Sequence, residues 1–145
     1  MKGRIGGIDV ILLDTSALIA LSDRKDKNHE KAVNFFREAV KRTRFVLPKH
    51  VLIEYIDGVT KRVGKDKAIE ELENILNSNL VMIEFERRKD WEKAFEYFKR
   101  YDDKEIDLTD CLSFAIMERL KIGEVFTFDK DFKIHGFIIL PENLE

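Results

Sequence analysis

The feature that most constrains this chain is an alternation. Apolar runs too short for helices are separated by longer stretches in which apolar residues recur every three or four positions. Residues 10–13, 45–47, 80–85, 124–128 and 137–140 read as strands. Between them lie six helical patterns. The first follows the helix-start signature Asp14-Thr15-Ser16 and runs through 17–21. The second carries Ala32, Phe35, Phe36, Ala39 and Val40. The third spans about 49–63, with Pro48 at its entry and Gly64 at its close. The fourth spans 65–79, the fifth 87–101 with Trp91, Ala94, Phe95 and Phe98 in its pattern, and the sixth 109–121. Residues 102–107 read as an acidic loop and 129–135 as a turn.

Strands that alternate with helices, with no tight hairpin signal apart from the 129–136 connection, imply an α/β class with a mostly parallel sheet. A chain of 145 residues suits one such domain, 1–145. Ligands of open parallel sheets sit outside the carboxyl ends of the strands. That directs attention to Asp14 and Asp129, each of which follows a predicted strand directly.

Composition removes several classes. With 44% hydrophobic and 37% charged residues the chain is globular with an ionic surface. The net charge of -2 argues against a strongly basic nucleic-acid binder, so nucleic-acid contact must come from local patches such as Lys41/Arg42/Arg44, Lys61/Arg62/Lys65 or Arg87/Arg88/Lys89. The single Cys111 cannot form an internal disulfide, and the three histidines show no metal-finger spacing, so a reducing, cytoplasmic setting is expected. His29, His50 and His135 read as surface or loop residues, and Cys111 as a small core filler. Asp9 and Asp14 interrupt the first apolar stretch, which argues against a signal peptide or membrane anchor. Glutamine is absent while Lys and Glu abound, the bias of hyperthermophilic proteins.

The carboxylates carry the chemistry. Asp14 can cap the helix it precedes or face a site. Glu54, inside Val51-Leu52-Ile53-Glu54-Tyr55-Ile56, either points outward or is buried at a cost that demands a partner. Asp110 stands in the first turn of its helix, with Asp107 three residues earlier as a cap, yet Phe114 and Met117 follow on its row. Asp129 and Asp131 flank Lys130 beyond the strand ending Thr127-Phe128. Acids from separate elements that converge repel one another, and a bound cation relieves this. Oxygen-only ligation suits Mg²⁺ or Mn²⁺, and a phosphodiester is the natural substrate.

Ile11-Leu12-Leu13-Asp14-Thr15-Ser16-Ala17-Leu18, Glu54 within an apolar helix, Leu108-Thr109-Asp110-Cys111-Leu112-Ser113-Phe114-Ala115 and Val125-Phe126-Thr127-Phe128-Asp129-Lys130-Asp131-Phe132, then Gly136-Phe137, together resemble a PIN-domain ribonuclease of the VapC-like toxin type. The four motifs occur in order over nearly the whole chain. The resemblance implies a Rossmann-like α/β/α sandwich and an endoribonuclease dependent on Mg²⁺ or Mn²⁺. It further implies a homodimer, expected here through the helices between Val51 and Leu76, and a small antitoxin partner. Asp14, Glu54 and Asp110 would be the principal acids and Asp129 the fourth, with Asp131 a second candidate for that role. Thr15 and Ser16 would orient Asp14, and Thr127 would support the site from its strand. The substrate would be RNA, single-stranded in the expected case, with no membrane involved. The alternatives are an inactive module that grips RNA or protein, and a cellular RNA-processing nuclease without an antitoxin.

Overall fold

The computed structural model describes residues 3–102 and 105–142. Six strands and seven helices alternate among them: β1 (Gly3–Ile5), β2 (Ile8–Leu13), α1 (Thr15–Ser22), α2 (His29–Ala39), β3 (Arg44–Pro48), α3 (Lys49–Arg62), α4 (Lys65–Leu76), β4 (Val81–Glu84), α5 (Arg88–Arg100), α6 (Leu108–Leu120), β5 (Glu124–Phe126), α7 (Asp131–His135) and β6 (Ile138–Leu140). The last two residues of the acidic stretch's first half, positions 103–104, lie outside the described residues.

The sheet runs β4-β3-β2-β5-β6, with every neighbour on that path parallel. Its central strands are covered on both faces, which is why they read as continuous apolar runs rather than alternating ones. Successive side chains of β2 still point to opposite sides. Val10 and Leu12 join Val46 and Val125 in a core beneath α5, α6 and α7, whereas Ile11 and Leu13 join Phe45, Leu47 and Phe126 beneath α1 to α4. Helix α6 is buried almost all round from Asp110 to Met117, in keeping with its LTDCLSFAIM sequence, and Cys111 lies in that core. None of the described helices is long and apolar enough to cross a membrane.

Several features depart from the sequence reading. Strand β1 pairs antiparallel with β2 around Gly6 and Gly7, whose φ of 57° and 81° form a two-residue hairpin turn that Cβ-bearing residues disfavour. Three residues holding one large apolar side chain, Ile5, gave no strand signal. Residues 131–135 form α7 rather than continuing a turn, and β6 pairs parallel with β5, so the 129–136 connection is a crossover and not a hairpin. His135 is not a surface residue: its side chain is 8% exposed, stacks on Phe114 and bonds Glu118 and Tyr101. His50 is half-buried on α3 with Nε2 2.9 Å from Ser113 Oγ, and His29 Nδ1 lies 2.7 Å from the Ala20 carbonyl. Finally, α5 buries Asp90, Ala94 and Tyr97, and leaves Trp91, Phe95 and Phe98 outside.

Candidate active site

β3 lies on one side of β2 and β5 on the other, so the chain leaves β2 at the point where the strand order reverses. Asp14 is the first residue beyond β2. Its N–H donates to the Phe126 carbonyl at 3.1 Å, an interaction that extends the ladder to β5 by one residue. The extended backbone at Asp14 (φ −105°, ψ 162°) starts α1, yet its side chain makes no cap; the carboxylate turns across the strand ends instead.

Two hydroxyls hold it there. Thr127 Oγ1 donates to Asp14 Oδ2 at 2.8 Å and accepts the Asp129 N–H at 3.0 Å. Ser16 Oγ lies 3.0 Å from Thr127 Oγ1 and 3.3 Å from Asp14 Oδ2, and it accepts the Phe128 N–H at 2.9 Å. Because the Thr127 proton is committed to Asp14, Ser16 is the donor within the triad. Thr15 serves two acids, its backbone N–H holding Asp14. Its Oγ1 donates to Glu54 Oε1 at 2.6 Å, fixing an exposed carboxylate that α3 projects toward the same strand ends.

On the other side of the sheet, α6 begins with a reciprocal cap. The Asp110 N–H donates to Asp107 Oδ1 at 2.9 Å and the Asp107 N–H donates to Asp110 Oδ2 at 3.4 Å. The structural and the site roles of Asp110 therefore coexist. The Asp131 N–H bonds Asp129 Oδ1 at 3.0 Å, which folds the post-β5 turn back on itself. Oxygens of Asp110, Asp129 and Asp131 all lie within 4.8 Å of one another.

The result is a cleft of about 260 Å³ lined by Asp14, Glu54, Asp110 and Asp129, with Thr15, Ser16, Glu105, Asp107 and Thr109 around them. Asp131, 5% exposed, stands behind Asp110 and Asp129. Glu105 and Thr109 were not singled out by sequence; Glu105 carried no signal beyond membership of an acidic loop.

The cleft is electrostatically unbalanced. Burial raises the Asp14 carboxyl from its ordinary 3.8 to about 6, the negative charge of Asp129 adds to the rise, and the Thr127, Thr15 and Ser16 hydrogen bonds only partly offset it. Asp110 is raised further by burial and then by the charges of Asp107 and Asp129 and a hydrogen bond with Asp131. Among the described residues, the polar side chains that line the cleft offer carboxylate and hydroxyl oxygens, the set preferred by hard divalent ions. Asp110, Asp129 and Asp131 fit such an ion by their spacing, while Asp14 and Glu54 line the same cleft outside that trio.

Comparison with known proteins gives this geometry its context. The sequence profile of the PIN domain matches residues 11–138. The chain is 31% identical over 134 residues to the 23S rRNA-specific endonuclease VapC20 of Mycobacterium tuberculosis, covering 92% of this chain and 100% of that protein. It is 28% identical over 131 residues to a VapC ribonuclease of Aquifex aeolicus, covering 87% of this chain and 92% of that one. The crystal structure of M. tuberculosis VapC20, described as a Sarcin-Ricin loop cleaving toxin, superposes with a TM-score of 0.79 at 30% identity over 88% of this chain and 96% of the other. VapBC2 of Rickettsia felis shares the fold with a TM-score of 0.70 at 18% identity, covering 90% and 96%. On its sequence and its mostly parallel, helix-flanked sheet, the chain belongs to the PIN-domain family.

Proposed function

We propose that this protein is a metal-dependent endoribonuclease and the toxin of a toxin–antitoxin pair, with Asp14, Glu54, Asp110 and Asp129 as its working acids and Asp131 supporting the metal side. The observation that carries the reading is the convergence of these acids at the strand switch point, with Asp14 and Asp110 pushed up by burial and by each other's neighbours. Burying carboxylates without compensation is costly, and a catalytic cation is a reason to do it. Mg²⁺ or Mn²⁺, when bound, would supply Lewis acidity toward a phosphodiester and its attacking water. The chain's own part is positional. Thr127 and Ser16 aim Asp14, Thr15 aims Glu54, and the α6 cap fixes Asp110.

The toxin reading rests on the likeness to VapC20, a 23S rRNA-specific endonuclease. Cleavage of single-stranded segments in the cytoplasm suits a chain whose one cysteine is a buried free thiol. A homodimer through α3 and α4 would cover Ile53, Val63, Ile69 and Leu76, which are 51%, 67%, 47% and 60% exposed.

The test incubates the purified chain with end-labelled single-stranded RNA in Mg²⁺, Mn²⁺ or chelator. Internal cleavage in metal alone is expected, together with growth arrest on induced expression that Asp110→Asn abolishes. A folded protein that cuts no RNA in either metal would refute the proposal.

A further inference from the structure

Helix α5 carries an outer face that neither the core nor the carboxylate cleft uses. Trp91, Phe95 and Phe98 recur at i, i+4 and i+7, so they form one row, and they are 47%, 57% and 44% exposed. The packing role of the helix is met by its other face, which buries Asp90, Ala94 and Tyr97 against α6. With Leu108 the row forms a shallow groove of about 370 Å³. Leu108 opens α6, and its chain neighbours Asp107 and Thr109 line the carboxylate cleft, so groove and cleft meet at that residue.

Beside the row, Arg88 and Lys99 are exposed on one flank together with Glu92, which Arg88 approaches at 3.9 Å. Lys89, Lys93 and Arg100 lie on the opposite side of the helix, Lys93 and Arg100 against the Tyr97 ring. The Lys99 ammonium lies 4.6 Å over the Phe95 ring centroid, a weak exposed contact that leaves it able to move to a phosphate. Rings flanked by cations offer what a single-stranded polynucleotide needs: faces for bases and charge for the backbone. A duplex hides its base faces, which leaves a single strand as the polynucleotide that can stack there.

We propose that the outer face of α5 is a stacking platform for single-stranded RNA entering or leaving the acidic cleft. Bases stack on Trp91, Phe95 and Phe98 while Arg88 and Lys99, on the flank of the row, hold phosphates. The proposal rests on the endoribonuclease reading and adds to it a surface that decides substrate affinity.

Trp91 is the only tryptophan, so intrinsic fluorescence reports from the platform itself. A labelled single-stranded RNA of about twelve nucleotides is titrated into the protein in chelator, following label anisotropy and tryptophan emission together. The two signals should saturate on one curve. Phe95→Ala and Phe98→Ala should each weaken binding about tenfold, raise KM for cleavage in Mn²⁺ with kcat held, and leave the melting curve unchanged. Lys99→Ala should flatten the salt dependence of binding. Native protein that cleaves RNA while tryptophan emission stays constant and the variants bind equally would overturn the platform and leave the nuclease reading standing. Native protein that neither binds nor cuts RNA would remove the nuclease reading first. A solution mass that doubles in native protein and falls to one chain in Phe95→Ala would make the face a contact between copies and would also overturn the proposal.

Discussion

Replacing Asp14 with asparagine should make the metal-free protein more stable, although it removes a residue central to the cleft. Asp14 is 8% exposed, and its carboxyl is raised from 3.8 to about 6 with burial as the main cause. A raised carboxyl favours its protonated form in the folded state. Its contribution is therefore intact below about pH 4, is lost between there and about pH 6, and is fully absent above that. The rise of about two pH units corresponds to about 3 kcal/mol of cost at pH 8. Asparagine is neutral throughout and keeps an acceptor for Thr127 Oγ1, 2.8 Å away. That bond becomes weaker and the new amide N–H₂ must find partners, a loss of about 1–2 kcal/mol. A net gain of about 1–2 kcal/mol at pH 8 remains, or roughly 3–6 °C in the melting temperature of a chain this size. The assay is thermal unfolding in chelator between pH 4 and pH 8, repeated with Mn²⁺. Native protein should lose stability as the pH rises and recover it with Mn²⁺, and the variant should do much less of both. A variant that melts lower than native at pH 8 in chelator, by a margin that does not widen toward pH 4, would refute the argument.

Three other perturbations separate the parts of the account. Glu54→Gln should leave unfolding within about 0.5 kcal/mol of native, because the side chain is exposed and its oxygen still accepts from Thr15, while RNA cleavage falls sharply in a rate assay. Thr127→Val deletes a hydroxyl that serves Asp14 and the Asp129 N–H at once. It should cost about 1–3 kcal/mol in denaturant unfolding and slow cleavage as well. Arg119→Ala strands Asp90, which is 3% exposed and bonded by Arg119 Nε at 3.0 Å. Calorimetry should show a loss of about 3–5 kcal/mol, with the metal affinity of the remaining folded protein unchanged.

The sheet was legible because β2, β3 and β5 are buried on both faces, and so announce themselves as unbroken apolar runs. Helices α2 to α5 were legible for the opposite reason, each having one wet face, whereas α6 is buried almost all round. What escaped was either too short or satisfied by tertiary contacts. Strand β1 has three residues and is fixed by the Gly6-Gly7 turn, and α7 has five. His135 was unreadable because burial on Phe114 and the bond to Glu118 come from α6, which is remote in sequence. At the site, Asp14, Glu54, Asp110 and Asp129 line one cleft, but which hydroxyl serves which acid was not legible. Thr15 serves Glu54 across 39 positions, a pairing that no local pattern encodes. The apolar periodicity of α5 was real, yet Trp91, Phe95 and Phe98 belong to its outer face, because periodicity defines a stripe without stating which side is wet.

The central claim is that the carboxylate cleft is a metal site that serves RNA cleavage. Its most direct measurement is the initial rate of RNA cleavage against Mn²⁺ concentration, starting from chelated protein, for the native chain and for Asp110→Asn verified as folded. The account predicts no rate at zero metal, a saturable rise for the native chain and a flat line for the variant. Cleavage by native protein in chelator, or an unchanged Mn²⁺ curve for the variant, would contradict it.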